Sequence, residues 1–271
     1  MNKKNLFYCS LLLFFILQCK TLPPVKPKPS IEINSAVVIS IVQEHKILFI
    51  EQTVTPKLIY VAKLEDPDDP LHKSVLIKKD LKGNLKSSLI KIQTYSNEQG
   101  FDELPERFYF LNLDPGLYAI VGYTYTSKNQ NEVTKYNVFF TQKDIEKLKF
   151  YVKPGKIVIL GKINAYLKHK EMMMTKETEQ EDPIAYQYGV LIAPEGIKEG
   201  LGMEMLKGFF KGLGKKENNI IYYDNNYLIK DVNIQNDAAI KDQFIKAMYK
   251  DWKSTPWIDF LNFCKNNNSI D

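Results

Sequence analysis

The sequence predicts a mainly β protein: an antiparallel β-sandwich with short helices packed at its C-terminal end. Three observations predict this fold class. Short apolar runs rich in β-branched residues recur from Ser35 onward, turn-forming residues separate them, and helical periodicity is confined to the last third of the chain. With 271 residues, of which 44% are hydrophobic, the chain is long enough to bury a core of its own.

The apolar and alternating segments give the expected order of strands. Strands are predicted over residues 36–41, 46–50, 57–64, 74–78, 88–94, 135–140, 147–152, 156–166 and 186–192. Residues 219–229 are predicted to be either a further strand or a hairpin. The polar stretch from Lys168 to Asp182 is predicted to be a mobile loop. The expected organisation is a leader at 1–18, a Pro-rich tether at 19–34, a sandwich domain at 35–168, a polar loop at 169–184 and an α+β extension at 185–271.

Two Pro-Gly pairs predict tight turns between neighbouring strands. Pro115 presets φ and Gly116 supplies a positive φ between two aromatic strands, and the pair at 154–155 repeats the pattern. The segments Leu113–Tyr118 and Val152–Gly161 resemble the two hairpins of periplasmic and surface β-sandwich modules. The resemblance covers roughly residues 105–166, and it implies a sandwich but no particular activity.

Helical signals follow the strands. Asp237 is expected to cap a helix over Ala238–Trp252, and Pro256 to lie near the first turn of a second helix that ends at about Lys265. A third candidate helix, Leu201–Lys215, is amphipathic and basic. Either it contacts a membrane or a partner, or it packs on the edge of the sandwich. The candidate contact residues are the lysines spaced four apart on its polar side, Lys207, Lys211 and Lys215.

The N-terminus has the pattern of a secretory leader. Lys3 and Lys4 precede an apolar run, Leu6–Leu17, of about a dozen residues, which is shorter than the roughly 20 that a membrane-spanning helix needs. Cys19 follows the run directly. A cysteine at this position indicates lipoprotein processing, in which residues 1–18 are removed and the thiol of Cys19 receives the lipid.

The residues around Cys19 resemble the relaxed lipobox of spirochaete lipoproteins. Ile16 matches the aliphatic position, whereas Gln18 departs from the small residue that other bacteria require. The resemblance implies a lipid-anchored protein of the cell envelope. Lys20 is not the aspartate that retains many lipoproteins in the inner membrane, so the analogy favours the outer membrane. The Pro-rich tether is expected to be semi-rigid, and ten of its residues would span roughly 30 Å.

Composition argues against several other classes of protein. The net charge is +5, and removal of Lys3 and Lys4 with the leader takes it to +3, without the clustered basic patch that nucleic-acid binding requires.

Of the three cysteines, Cys9 is lost with the leader and Cys19 is the lipid acceptor. Cys264 is therefore left without a disulfide partner. It is either a small buried hydrophobe or a reactive thiol that needs a nearby histidine.

No catalytic or metal motif is recognisable. The three histidines are isolated in sequence, and none has a cysteine or histidine at zinc-ligand spacing: His45, His72 and His169. The acidic cluster Asp66, Asp68 and Asp69 is either a solvated turn or a calcium site without the EF-hand pattern. No resident metal or cofactor is expected.

These observations favour a non-enzymatic lipoprotein that binds another protein, an envelope component or a host molecule. The alternative is an envelope hydrolase whose site is assembled from scattered polar residues such as Glu103 and Glu106. Exposed tyrosines on one sheet face could form a sugar- or peptide-binding surface. The candidate pairs are Tyr123 with Tyr125 and Tyr222 with Tyr223.

Overall fold

The structure is a computed structural model that describes residues 25–47, 50–54, 56–64, 78–79, 85–86, 89–93, 107–129, 132–167, 173–197, 215–217, 220–230 and 232–271. The strands within these ranges are β1 (Ser35–Ile47), β2 (Ile50–Val54), β3 (Leu58–Leu64), β4 (Lys78–Lys79), β5 (Leu85–Lys86), β6 (Leu89–Gln93), β7 (Arg107–Leu111), β8 (Gly116–Asn129), β9 (Glu132–Phe140), β10 (Lys149–Val152), β11 (Lys156–Leu167), β12 (Lys215–Glu217), β13 (Ile220–Ile229) and β14 (Val232–Gln235).

Five α-helices lie among the described residues: α1 (Gln142–Lys147), α2 (Thr178–Glu181), α3 (Pro183–Ile192), α4 (Ala238–Trp252) and α5 (Trp257–Asn266). Two short 3-10 turns accompany them, at Ile31–Ile33 and Pro194–Gly196. The structure thus confirms a fold of mostly strands with helices at its C-terminal end.

Twelve of these strands form two mixed sheets, and β4 and β5 pair with each other in a separate two-stranded sheet. In the first, the order is β14-β11-β1-β2, and β7 pairs with β1. In the second, the order is β12-β13-β9-β8-β3-β6, and β10 pairs with β8. The expected antiparallel arrangement is wrong for two pairs, because β11 runs parallel to β1 and β13 runs parallel to β9. Both parallel partners come from distant parts of the chain, so no local turn signal could have set their direction.

The two Pro-Gly turns are connections between the sheets, so the predicted hairpins are wrong. β7 pairs with β1 in the first sheet, whereas β8, which follows the Pro115-Gly116 turn, lies in the second. The turn at Gly155, where φ is 73°, carries the chain back from β10 to β11. A hairpin would place paired strands about 4.8 Å apart, whereas each of these turns crosses the roughly 10 Å between packed sheets.

The first sheet is the middle layer of three. Along β1, Val37 and Ile39 belong to the large apolar cluster shared with the second sheet, whereas Ala36 and Val38 belong to a cluster shared with α4 and α5. Since side chains alternate along a strand, the two faces of β1 pack against different layers. This double burial explains why β1 reads as a continuous apolar run.

The helix predictions are confirmed at the C-terminus. α4 has the predicted bounds, and the Asp237 carboxylate accepts a hydrogen bond from the Ile240 amide at 2.9 Å. α5 begins directly after Pro256, as expected. Such caps stabilise a helix by about 1 kcal/mol.

The strand predicted at 186–192 is wrong, because these residues lie in α3. The Asp182 carboxylate accepts from the Ala185 amide, and Pro183 occupies the first helical position. This combination of an acidic cap and a proline is a standard start signal for a helix. The predicted loop before it contains α2 and a β-bridge from Met173 to Tyr227.

A buried ion pair connects the first sheet to α4. The Arg107 Nε and Nη2 atoms donate to the two carboxylate oxygens of Asp251 at 2.8 and 2.9 Å, and the Tyr109 hydroxyl donates to the same carboxylate. The side chains of Arg107 and Asp251 are 1% and 0% exposed. Burial alone lowers the pKa of Arg107, but the hydrogen bonds and charge of Asp251 outweigh it and raise that pKa. Arg107 therefore stays charged.

We expect Arg107→Met to lower the free energy of unfolding by about 3–5 kcal/mol, because Asp251 would be left buried without its counter-charge. Arg107→Lys keeps the charge but loses the bidentate hydrogen bond to Asp251, so we expect the free energy of unfolding to decrease by a smaller amount, about 1–3 kcal/mol. Urea unfolding measures both variants. The matched control is the double variant Arg107→Met, Asp251→Leu, which should recover part of the loss. Equal stability of all four proteins would contradict a structural role for this pair.

Candidate functional site

Most of the predicted contact residues lie outside the described residues. This applies to Cys19, the proposed lipid acceptor, and to Lys207 and Lys211. Lys215 is described as the first residue of β12, which pairs with β13. Lys215 is therefore part of a strand, whereas the rest of the predicted basic helix falls outside the described chain.

Cys264 is a buried residue on α5. Its side chain belongs to the apolar cluster between the first sheet and the helices, and Sγ lies 3.4 Å from the Gly155 carbonyl oxygen, to which it donates. Burial raises the pKa of the thiol from 9.0 to about 12. A nucleophilic cysteine needs the opposite shift and access to substrate. The structure therefore places Cys264 in the core.

The residues considered for acid-base or metal chemistry lie outside the described side chains. His45 lies in β1, but its side chain, together with His72, His169, Asp66, Asp68, Asp69, Glu103 and Glu106, falls outside the described side chains. Across the part of the chain that is described, no group of three or more His, Cys, Asp or Glu could hold a metal ion. Nor does any described helix have the length and apolar character needed to cross a membrane.

The predicted tyrosine surface is wrong for its first pair. Tyr123 and Tyr125 are 0% and 4% exposed, because they point into the space between the two sheets. Tyr125 stacks on Tyr136 with ring centroids 4.6 Å apart. The other pair, at 222 and 223, lies in β13 with side chains outside the described set. Side chains alternate between the two faces of β8, but the sequence does not show which face is buried. In the structure, the face that carries these tyrosines lies in the core.

A chain of buried amides attaches α3 to the second sheet. The Asn226 Nδ2 atom donates to the carbonyl oxygens of Gly189 and Ala193, at 3.1 and 2.8 Å. Asn137 donates to the Asn226 side chain at 3.0 Å and accepts from the Tyr60 hydroxyl at 2.9 Å. These polar groups satisfy one another and the end of a helix, which is a structural role rather than a catalytic one.

The remaining candidate is the N-terminal segment, Val25–Asn34, which packs against the body of the fold. The Trp257 Nε1 atom donates to the Val25 carbonyl oxygen at 2.8 Å, and the Asn112 side-chain amide donates to the Lys26 carbonyl oxygen at 3.4 Å. The segment was predicted to be part of a spacer. In the structure, it is held from its first described residue onward.

Asn34 organises the other end of this segment. Its side-chain oxygen accepts from the Lys28 amide at 2.7 Å, and its amide group donates to the carbonyl oxygens of Lys28, Ser30 and Ile31. Asn34 is fully buried, and its own carbonyl accepts from the Gly155 amide at 2.7 Å. The Asn34 side chain thus folds the segment, and the Asn34 main-chain carbonyl joins it to the second Pro-Gly turn.

The N-terminal segment begins beside α5. Val25 is 39% exposed and lies at the N-terminal end of α5. We define the exit surface as the exposed residues of the segment Val25–Asn34 and of the turn between α4 and α5: Val25, Lys26, Lys28, Pro29, Ser30, Glu32, Ile33, Lys253, Ser254 and Pro256. Prolines in a spacer and prolines in a bound segment look alike in sequence, so composition could not have identified this surface.

No family model, no curated protein and no solved structure matches this chain.

We expect Cys264 to be nearly inert in the folded protein. The pKa shift lowers the thiolate fraction at pH 8 about a thousandfold. In the mature Cys19→Ser variant, where Cys264 is the remaining thiol, iodoacetamide should modify the native chain far more slowly than the urea-unfolded chain. In the unfolded chain, the Cys264 thiol loses its proton at a lower pH than in the folded chain. Because this ionisation favours the unfolded state, the free energy of unfolding should decrease as pH rises above about 9. Equal modification rates in the two states would contradict this burial.

We expect Asn34→Ala to release the N-terminal segment. Loss of a buried, fully bonded side chain costs about 1–3 kcal/mol, so the Lys28 amide should exchange with solvent about tenfold faster or more. Hydrogen exchange with mass spectrometry measures this rate. Asn267→Ala is the matched control, because the Asn267 side chain makes one exposed hydrogen bond, to Phe263. Unchanged exchange at Lys28 in the Asn34 variant would show that the segment is held in another way.

Proposed function

We propose that this protein is a lipid-anchored component of the bacterial cell envelope that acts by binding rather than by catalysis. In this proposal, the leader at 1–18 is removed, Cys19 receives the lipid, and the mature chain stays on a membrane, with the outer membrane favoured by analogy. The ligand is another protein or an envelope component. The proposal includes no cofactor and no nucleic acid.

The observation that carries the proposal is the distance in sequence between the anchor and the fold. Val25, the first described residue, already contacts the body of the protein, and it lies six residues after Cys19. A lipid on Cys19 would therefore hold the domain directly at a membrane surface. The charged n-region and the short apolar run before the cysteine support the same processing.

The contacts of the described polar side chains support a binding role. Arg107 and Asp251 neutralise each other in the core, and Asn137 and Asn226 fix a helix to a sheet. Cys264 is buried with a raised pKa. Each of these groups stabilises the fold. A β-sandwich of this kind is a common scaffold for binding surfaces.

We expect Cys19→Ser to move the protein from the detergent phase to the aqueous phase when cells that process lipoproteins are extracted with Triton X-114. One acyl chain contributes about 0.8 kcal/mol per buried CH₂, so loss of the lipid removes the membrane affinity. The expression host should be a spirochaete, because the residue before the cysteine is Gln18.

Cys9→Ser is the matched control, since it changes the other leader cysteine and should leave both partitioning and palmitate labelling intact. Mass spectrometry of the N-terminal peptide should find the lipid on residue 19. Detergent partitioning that survives Cys19→Ser would overturn the anchoring proposal.

A further inference from the structure

We propose that the exit surface faces an anionic membrane, so that the anchored domain has one preferred orientation on the bilayer. The proposal rests on the proposed lipid anchor and deepens it by naming the contacting surface and its partner, the anionic headgroups of lipids. The exit surface presents three exposed lysines, Lys26, Lys28 and Lys253, and one exposed glutamate, Glu32.

The first step is that the exit point is fixed relative to the body of the protein. Hydrogen bonds from Trp257 and Asn112 hold the carbonyls of Val25 and Lys26. Trp257 is itself 1% exposed and packs on Trp252 with ring centroids 5.7 Å apart. An anchor attached through Val25 therefore pulls on one defined site of a rigid domain.

The second step is the short stretch of chain between Cys19 and Val25. A spacer running from Cys19 to the start of β1 would contain sixteen residues and span about 50 Å at ~3.1 Å per residue. Because Val25 is docked and lies six residues after Cys19, the chain between the proposed lipid and the fold can span no more than about 19 Å at ~3.1 Å per residue. The exit surface is thereby kept close to the headgroups, whereas the opposite end of the sandwich is not.

The third step is the charge of the surface brought near the bilayer. Lys26, Lys28 and Lys253 are exposed, and the exposed carboxylates on the same segment and on α5 are those of Glu32 and Asp259, so the lysines exceed the carboxylates by one. Electrostatic attraction extends about 8 Å at physiological ionic strength. A link of up to about 19 Å allows the lysines to come within that distance of the headgroups, and the attraction then favours orientations in which they do. Juxtamembrane lysines are attracted to the negative surface potential of anionic lipids.

The orientation can be measured with two matched labels. Ser254 lies on the exit surface, and Ser127 is an exposed serine near the far end of β8, eleven residues and about 36 Å from Gly116. An azide-bearing amino acid at 254 or 127 carries a donor fluorophore. The mature chain is coupled through Cys19 to a maleimide lipid in vesicles that contain an acceptor headgroup and about 30% phosphatidylglycerol.

We expect energy transfer about threefold or more stronger from position 254 than from position 127, because the two positions differ in height by tens of ångströms. Insertion of twelve Gly/Ser residues after Pro24 should lower the transfer from 254 toward the value at 127. Equal transfer from both positions in the unmodified chain, or no effect of the insertion, would overturn the orientation.

The role of charge has its own pair of variants. Reversal of Lys26, Lys28 and Lys253 to Glu should lower transfer from 254 on anionic vesicles and leave it unchanged on neutral ones. The matched control reverses three lysines elsewhere, Lys128, Lys143 and Lys241. Salt at about 1 M, where the screening length is about 3 Å, should reproduce the loss in the unmodified chain.

An equal effect of the two triple variants would show that the exit lysines do not contact the headgroups, and it would overturn the proposed partner. Chemical coupling makes this outcome independent of whether the cell lipidates Cys19. Failure of the orientation is therefore distinguishable from failure of the proposed function, which the detergent partitioning of Cys19→Ser measures.

Discussion

The ion pair between Arg107 and Asp251 is the constraint on which the arrangement of layers depends. Of the 37 lysine and arginine residues in the sequence, Arg107 alone is an arginine. A planar guanidinium can donate to both carboxylate oxygens at once and is less strongly hydrated than an ammonium, so it tolerates burial that lysine resists. The pair joins the edge strand β7 to the last turn of α4, and thereby sets where that helix ends against the sheet.

The position of the exit surface follows from this constraint. Asp251 is followed by Trp252, whose ring packs on Tyr109 of the same strand that carries Arg107. Trp252 in turn packs on Trp257, and the indole N–H of Trp257 holds the Val25 carbonyl. A buried charge pair, two tryptophans and one hydrogen bond thus determine where Val25 lies against the fold.

The sequence could predict the helices and strands whose position depends on interactions between residues close together in the chain. The cap at Asp237 and the proline at 256 located both C-terminal helices, and β-branched runs located β1, β3 and β11. Local physics does not choose a strand's partner. The turn at Pro115-Gly116 has the same chemistry whether its strands pair with each other or enter different sheets, and the ion pair joins residues 144 positions apart in sequence.

The exit surface escaped prediction for a reason that lies in proline itself. Pro27 and Pro29 remove backbone donors, which makes a segment a good spacer, but carbonyl acceptors remain. The restricted φ of proline also means that little conformational entropy is lost when such a segment docks. The same composition therefore suits a free tether and a bound one. What decides between them is whether the fold offers donors for the carbonyls, and the Asn34 and Asn112 amides and the Trp257 indole supply them.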